Sequence, residues 1–124
     1  MKKINLIFAL LLSFSIIGQN LKFIGKPIEI GGLEIAQHDF PKEMDWNEAK
    51  KACADIGEGW RLPTKEELNT FYYNKEKIGG FAGGSYWSSS ENDSHTAWLF
   101  YFFNGTAYST SKYSARFVRA VRDF

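Results

Sequence analysis

The sequence contains little cysteine, histidine or proline, and it lacks an excess of charge of either sign. Its 124 residues include one Cys, two His and three Pro, with 15 basic against 14 acidic side chains. A single cysteine, Cys53, excludes an internal disulfide framework and a multi-cysteine zinc site. The near-zero net charge argues against a nucleic-acid-binding protein. We expect Cys53 to be a small buried apolar side chain.

Aromatic residues are abundant in spite of the short length. Phe, Tyr and Trp make up 17% of the chain, and charged residues 23%. This composition excludes a disordered chain, and the length allows one domain at most. A small domain without disulfides can use aromatic bulk to build its core.

Residues 1–18 have the layout of a secretory signal peptide. Lys2 and Lys3 precede an apolar run, Ile4–Ile17, that ends at small residues near Gly18. The run is shorter than the roughly 20 residues that a membrane-spanning helix needs, and no cysteine follows it to carry a lipid anchor. We therefore expect export, to the periplasm, the cell surface or the medium, of one domain over residues 19–124. That domain would keep 13 basic and 14 acidic residues and would not span the membrane.

The first half of this domain predicts short strands followed by two helices. Strand-like segments broken by turns occupy residues 21–40. Asp45 can cap the first helix together with Glu48, and Gly57 ends it. The second helix has the stronger capping pair, Thr64 and Glu67, and should end near residue 74. The predicted buried faces are Trp46, Ala49, Cys53 and Ile56 in the first helix, and Leu68, Phe71 and Tyr72 in the second.

The second half predicts antiparallel strands. A glycine-rich loop over residues 79–84 and a turn over residues 92–94 precede a strand at Ala97–Phe103. Asn104-Gly105 predicts a two-residue hairpin turn into Thr106–Thr110, and Arg116–Arg122 predicts a last strand. Because both faces of Ala97–Phe103 are apolar, we expect it to be central and buried. This order of elements is that of an α+β fold.

Three blocks, in this order and spacing, resemble the Lcl C-terminal domain family. They read Trp60-Arg61-Leu62-Pro63-Thr64-Lys65-Glu66-Glu67-Leu68, Tyr86-Trp87-Ser88-Ser89-Ser90-Glu91 and Val118-Arg119-Ala120-Val121-Arg122. The resemblance covers about residues 32–124. It implies a C-type-lectin-like fold related to the Fibrobacter major paralogous domain, with adjacent N- and C-terminal strands, two helices and a small antiparallel sheet. It also implies a secreted or surface-displayed bacterial protein that binds rather than catalyses.

The residues of these blocks also have structural roles. We expect Trp60 and Trp87 to pack in the core, and Arg119 and Arg122 to pair with acids such as Glu67 or Glu91. The motif residues with an expected structural role are Trp60, Arg61, Leu62, Pro63, Thr64, Glu67, Trp87, Glu91, Arg119 and Arg122.

A calcium site is one functional hypothesis, because lectins of this fold often hold the ion with Glu, Asn and Asp oxygens. Glu91, Asn92 and Asp93 offer such oxygens in one loop. The Glu-Pro-Asn or Gln-Pro-Asp motif followed by Trp-Asn-Asp, which is typical of calcium-dependent sugar binders, is absent. The default expectation is therefore a solvated turn and no obligatory cofactor.

Two enzyme hypotheses come from the same fold and from loop composition. Formylglycine-generating enzymes have a related fold, but their chemistry needs paired active cysteines, and this chain has only Cys53. A serine hydrolase could use residues 88–90 with Asp93 and His95, but the Gly-x-Ser-x-Gly motif is absent. His38 and His95 lack the spacing of metal ligands.

The remaining hypothesis is a non-catalytic binding or adhesion module for a glycan or protein surface. Tyr and Trp bury large areas at low entropic cost and stack on sugars or proteins. The predicted ligand contacts are Tyr86, Tyr108, Lys112 and Tyr113, with Trp98 and Tyr101 as further candidates to test. The alternatives are the two enzyme classes above and a structural subunit of a surface assembly.

Overall fold

The structure is a computed structural model that describes residues 24–124, so the predicted signal peptide lies outside the described residues. No helix within these residues is long and apolar enough to cross a membrane. The elements in chain order are β1 (Ile28–Ile30), β2 (Leu33–Ile35), α1 (Trp46–Ile56), α2 (Lys65–Tyr73), α3 (Lys75–Ile78), β3 (Ser85–Glu91), β4 (Thr96–Tyr101), β5 (Thr106–Ser111) and β6 (Val121–Asp123).

The strands form two antiparallel sheets of three strands each. In the terminal sheet, β2 lies between β1 and β6, so the first and last strands of the described chain share one sheet. In the central sheet, β4 lies between β3 and β5. The predicted α+β order and the adjacency of the terminal strands are both confirmed. β4 is central, as its two apolar faces predicted.

The two main helices begin at the predicted capping residues. The Asp45 side chain accepts a hydrogen bond of 2.9 Å from the Glu48 amide at the start of α1. At the start of α2, Thr64 and Glu67 form the full reciprocal capping box, with hydrogen bonds of 3.1 and 2.8 Å. α2 ends at Tyr73 with Asn74 as its C-cap, and the short helix α3 follows directly, which the sequence did not indicate.

The central sheet separates two apolar clusters. Trp87 and Leu99 face the α1 cluster, and their neighbours Tyr86 and Phe100 face the α2 cluster, because successive side chains of a strand point to opposite faces. The α1 cluster consists of Ile24, Ala36, Met44, Trp46, Ala49, Cys53, Trp60, Leu62, Trp87, Ala97, Leu99, Val118 and Ala120. The α2 cluster consists of Ile35, Leu68, Phe71, Ile78, Tyr86, Phe100, Phe102 and Val121. Cys53, Trp60 and Trp87 are buried as predicted.

The serine-rich segment after Trp87 is a strand, β3, although its composition is typical of a loop. Its register against β4 shifts between Trp87 and Glu91. The Ser88 hydroxyl donates a hydrogen bond of 2.6 Å to the Trp98 carbonyl and accepts one from the Ser90 amide. These bonds satisfy polar groups at the irregularity, which explains why a serine is suited to this buried position.

The hairpin turn between β4 and β5 has four residues, 102–105, and not the two that the sequence predicted. β4 ends at Tyr101, which pairs with Thr106, and the Gly105 amide donates a 2.8 Å hydrogen bond to the Tyr101 carbonyl. Only Gly105 has a positive φ, of 71°, whereas a type I′ turn would need one at Asn104 as well. The strand prediction therefore extended too far, to Phe103.

Different parts of the last predicted strand, Arg116–Arg122, pair with different segments of the chain. Phe117 forms a bridge with Tyr86, and the Val118 and Ala120 carbonyls accept hydrogen bonds from Phe40 and Ala36. Only Val121–Asp123 pairs regularly, as β6 with β2. The segment is extended throughout, but it crosses from one sheet to the other, which an apolar pattern cannot reveal.

The arginines of this segment do not pair with Glu67 or Glu91, so that prediction was wrong. Arg119 contacts Asp39 at 2.7 Å, and Arg122 contacts Glu34 at 3.0 Å, its cross-strand neighbour. The predicted partners are occupied by other cations: Arg61 lies 2.8 Å from Glu67, and Lys112 lies 3.0 Å from Glu91.

Candidate binding surface

The turn at residues 102–105 is anchored to the rest of the molecule. Phe102 is buried in the α2 cluster, where its ring stacks on that of Phe81 with a centroid separation of 4.3 Å. The ring of Tyr72 packs directly against Gly105, so closely that a Cβ at Gly105 would lie 2.6 Å from it. Because the turn is held at both of these points, Phe103 between them projects in a defined direction.

The exposed Phe103 and Tyr108 form a group of aromatic side chains with the half-buried Tyr101, which we call the hairpin aromatic cluster. Phe103 is 75% exposed and Tyr108 45% exposed. The Tyr101 ring lies between them, with centroid separations of 5.8 Å to Phe103 and 6.5 Å to Tyr108. The Asn104 amide lies 3.4 Å from the Tyr108 hydroxyl. Flat apolar rings with polar groups at their rim are the usual composition of a binding surface for proteins or sugar rings.

A groove lies on the opposite face of the same hairpin, between β4, β5 and α2. Its volume is about 500 Å³, and its lining residues are Lys65, Glu66, Asn69, Thr70, Phe100, Gly105 and Ala107. Trp98 lies beside it, with the Lys65 ammonium 4.2 Å above its ring. The hairpin therefore presents an aromatic surface on one face and a polar-walled groove on the other.

The three sequence blocks meet in space next to this hairpin. Arg61 and Val121 exchange backbone hydrogen bonds of 2.9 and 3.0 Å, and the Ser89 amide donates to the Pro63 carbonyl at 2.8 Å. The Arg61 guanidinium binds Glu67 through two hydrogen bonds of 2.8 and 2.9 Å. The blocks thus join the start of the second helix to both sheets.

A profile of the Lcl C-terminal domain matches residues 30–122 of the chain. The chain belongs to the Lcl C-terminal domain family. A sequence comparison with curated proteins found no match.

The Lcl domain has a C-type-lectin-like fold, which comparison with solved structures shows. It is similar to botrocetin, with a TM-score of 0.60 at 12% identity over 81% of this chain and 98% of that chain. It is similar to EMS16, an antagonist of the collagen receptor integrin alpha2beta1, with a TM-score of 0.62 at 11% identity over 79% and 97%. The snake venom toxin convulxin gives a TM-score of 0.60 at 8% identity over 81% and 96%.

The Lcl domain does not bring the four predicted ligand contacts together. Tyr113 is 84% exposed, but it lies beyond the end of β5, five residues from Tyr108 and thus up to about 17 Å away along an extended chain. Among residues 24–124, Tyr113 makes no ring contact with Tyr108, whose ring packs near Tyr101. Sequence spacing alone could not show this.

The prediction of Tyr86 and Lys112 as ligand contacts is corrected by the structure, because both side chains make contacts within the protein. Tyr86 is fully buried, and its hydroxyl binds Asp39 and the Ala82 amide. Burial and the contact with Asp39 raise its pKa above the usual range. The Lys112 ammonium lies 3.0 Å from Glu91, donates to the Ser94 carbonyl at 3.1 Å and lies 4.5 Å above the Trp46 ring, so it connects the β3–β4 loop to α1.

The predicted calcium ligands of the Lcl domain are engaged in local contacts. Glu91 pairs with Lys112, and the Asn92 amide donates to the Thr96 hydroxyl. Asp93 accepts hydrogen bonds of 2.8 Å from the amides of His95 and Thr96, which lower the pKa of its carboxyl. Within residues 24–124, no three His, Cys, Asp or Glu side chains are placed to hold a metal ion together.

The serine, histidine and aspartate of the β3–β4 region do not form a catalytic relay. Ser88 is buried and bonded to Trp98. The His95 ring contacts the exposed Ser94 hydroxyl at 2.9 Å, and Asp93 binds backbone amides rather than the ring. Burial raises the pKa of the Cys53 thiol to about 12, so it is a poor nucleophile.

Phe103 is the surface residue that sequence reasoning missed, because it was assigned to the buried strand. The signal that could have revealed it is its position directly before Asn104-Gly105. A turn of four residues around this pair, the next most common kind, ends the strand before Phe103. The exposed Tyr73 on α2 was also missed, since only Tyr72 was placed on the buried face.

Proposed function

We propose that the protein is an exported, non-catalytic binding or adhesion module that recognises a glycan or a protein surface through the hairpin aromatic cluster. The observation that carries the proposal is the exposure of Phe103 on a turn held by Phe102 and Gly105. A rigid aromatic side chain loses little entropy on binding, and such residues dominate binding energies.

The fold relatives support a binding role with a protein partner. One similar solved structure is a complex of botrocetin with a mutant von Willebrand factor A1 domain, and the match to it has a TM-score of 0.61 at 11% identity over 81% of this chain and 98% of that chain. EMS16 is an integrin antagonist. Export rests on the charge and hydropathy of residues 1–18, where a periplasmic, surface-bound or released location all fit the same signal.

Glycan arrays and pull-downs from intact cells and culture medium test the proposal, using protein expressed from the full sequence. Phe103→Ala and Tyr108→Ala should each weaken binding about tenfold or more, as expected for central aromatic contacts. Tyr73→Ala and Tyr113→Ala are matched controls, because both remove exposed aromatic rings outside the cluster. The proposal is wrong if the folded protein binds nothing, or if only the Tyr113 variant loses binding.

A further inference from the structure

The outer edge of β5 is an unprotected strand edge within the described residues. β5 pairs with β4 on one side only, over six residue pairs from Thr96 and Ser111 to Tyr101 and Thr106 without a register shift. Its sequence, Thr-Ala-Tyr-Ser-Thr-Ser, contains no charged residue and no proline. Natural edge strands usually carry Lys, Pro or a bulge that prevents pairing with another chain, and this edge has none of them.

The backbone groups that point outward from this edge belong to Ala107 and Ser109. Just beyond β5, the Lys112 amide donates to the His95 carbonyl, so the backbone of Lys112 points towards β4. Along an antiparallel ladder, every second residue of a strand bonds to the same neighbouring strand. The inward-bonding residues of β5 are therefore Thr106, Tyr108 and Thr110. The Ser111 carbonyl already accepts a hydrogen bond from Ser114. Ala107 and Ser109 thus offer two amides and two carbonyls in the spacing of an extended strand.

The groove beside α2 lies on the face to which Ala107 and Ser109 point their side chains. Ala107 lines the groove, and Ser109 pairs with Trp98 on the same face. A strand added to β5 would place the side chains opposite these two residues on that face as well. The groove of about 500 Å³ would then receive one of them.

We propose that β5 binds an extended peptide segment of another protein, by strand addition, with a Lys or Arg side chain of the peptide in the groove beside α2. The size of the groove favours a different protein over a second copy of this chain. On the groove face, a second β5 would supply only Ala107, Ser109 and Ser111, which are too small to fill it.

The charges at the groove favour a basic side chain. Lys65 is held over the Trp98 ring, whereas the exposed Glu66 carboxylate has no hydrogen bond or ion pair among residues 24–124. The neighbouring Glu67 is already bound to Arg61. The groove therefore offers an incoming cation one carboxylate without an ion pair, with the Asn69 amide next to it, while the Lys65 ammonium that lines the same groove is held on the Trp98 ring.

A display library of random linear 12-residue peptides, selected against protein expressed from the full sequence, tests the proposal. The sequences of selected peptides should show the alternating side-chain pattern of a β-strand and contain Lys or Arg. A synthetic copy of a selected peptide should slow hydrogen exchange of the Ala107 and Ser109 amides. Ser109→Pro removes an outward amide at an edge position where proline is tolerated. It should weaken peptide binding at least tenfold, whereas Ser109→Thr should change it less than threefold.

Two further variants keep the result independent of any distortion by proline. Asn69→Trp fills the groove from the surface of α2, and Glu66→Lys reverses the charge of the groove carboxylate. Each variant should weaken peptide binding at least tenfold. The melting temperature of each should stay within a few degrees of that of wild type. The proposal is overturned if no peptide is enriched, if these variants bind like wild type, or if the protein self-associates through β5 instead. It rests on the proposed binding role, but Phe103→Ala should leave peptide binding intact, so the two ideas can fail separately.

Discussion

Arg119 is a fully buried cation that connects the segment before β6 to two loops. Its Nε donates to Asp39 at 2.7 Å, and its Nη1 donates to the carbonyls of Ala36 and Gly79 at 3.1 and 3.2 Å. The guanidinium also lies 4.2 Å from the Phe81 ring centroid. These partners replace the hydration of Nε and Nη1, whereas Nη2 is buried without a hydrogen-bond partner among residues 24–124.

Replacing this side chain should be strongly destabilising. Arg119→Met leaves the Asp39 carboxylate without its cation in a nearly buried position, so we expect the free energy of unfolding to fall by about 3–5 kcal/mol in urea titrations. Arg122→Met is the matched control. The Arg122–Glu34 pair is partly exposed, so its loss should cost no more than about 1 kcal/mol. Equal losses in the two variants would contradict this account of Arg119.

Cys53 gives a direct test of core burial at the residue scale. Burial raises the pKa of its thiol to about 12, and the thiolate is the reactive form. At pH 8 we expect native protein to react with a disulfide reagent on the order of 10³-fold more slowly than an exposed thiol, which follows from the thiolate fractions alone. Labelling should become fast in urea. Rapid labelling without denaturant would show that α1 opens or packs differently.

At the scale of elements, the start of α2 couples a helix cap to an ion pair. Burial alone would raise the pKa of Glu67, but hydrogen bonds from Arg61 and from the Thr64 amide outweigh it and hold the pKa below its ordinary value of 4.5. The carboxylate therefore contributes stability that is present above about pH 4.5 and is lost as the pH falls through its lowered pKa.

Glu67→Gln should remove this part of the pH dependence. The variant should be less stable than wild type at pH 7, and the difference should shrink towards acidic pH, as measured by urea titrations between pH 7 and pH 3. Glu66→Gln, one residue away and outside the capping box, controls for the loss of one negative charge. A stability difference that stays constant with pH would contradict the coupling.

The β4–β5 turn depends on a glycine for two separate reasons. Gly105 has a φ of 71°, and a Cβ there would lie 2.6 Å from the Tyr72 ring. Gly105→Ala should therefore lower the free energy of unfolding by about 1–3 kcal/mol. Gly83→Ala, whose Cβ would meet no atom within 4 Å, should change it by less than about 0.5 kcal/mol. Because Tyr72 also packs on Phe100 and Phe102, the comparison is a double-mutant cycle: in a Tyr72→Leu background, Gly105→Ala should cost less than in wild type, since the clash is gone but the φ strain is not.

The elements that were predicted well from the sequence are those determined by interactions between residues close together in the chain. The starts of α1 and α2 follow from Asp45 and Thr64, whose side chains bind amides three residues away. The central place of β4 follows from its two apolar faces. Other features have non-local causes: β3 pairs with β4 through a register shift at which Ser88 bonds to the Trp98 carbonyl, and Arg119 pairs with Asp39, 80 residues away in sequence. Neither partner can be identified from spacing.

At the scale of the whole molecule, the sequence indicated the fold but not the residues that we propose as ligand contacts. Three sequence blocks indicated the family and hence the fold, because their residues hold the helices and sheets together. The proposed ligand contacts lie elsewhere, on the hairpin, where Phe103 is exposed by a turn that differs from the expected one. Residues that define the fold are thus not those that would bind, which is why a shared fold leaves the ligand open.

Strands β3 and β4 of the central sheet contribute side chains to both apolar clusters, so the unfolding of the two clusters should be coupled. Trp87 and Leu99 pack in the α1 cluster, whereas Tyr86 and Phe100, their direct neighbours in the chain, pack in the α2 cluster. Loss of either cluster therefore exposes one face of β3 and β4. We expect one cooperative transition, in which neither cluster unfolds alone.

Urea titration followed by NMR can test this cooperativity. The indole N–H of Trp87 reports on the α1 cluster, and the methyl groups of Leu68 report on the α2 cluster, so their native signals should disappear with the same midpoint. Leu99→Ala removes side-chain volume only from the α1 cluster and should cost about 2–5 kcal/mol. Because β4 belongs to both clusters, this variant should lower the Leu68 midpoint as much as that of Trp87. A lower midpoint for Trp87 alone would mean that the two clusters unfold as separate units.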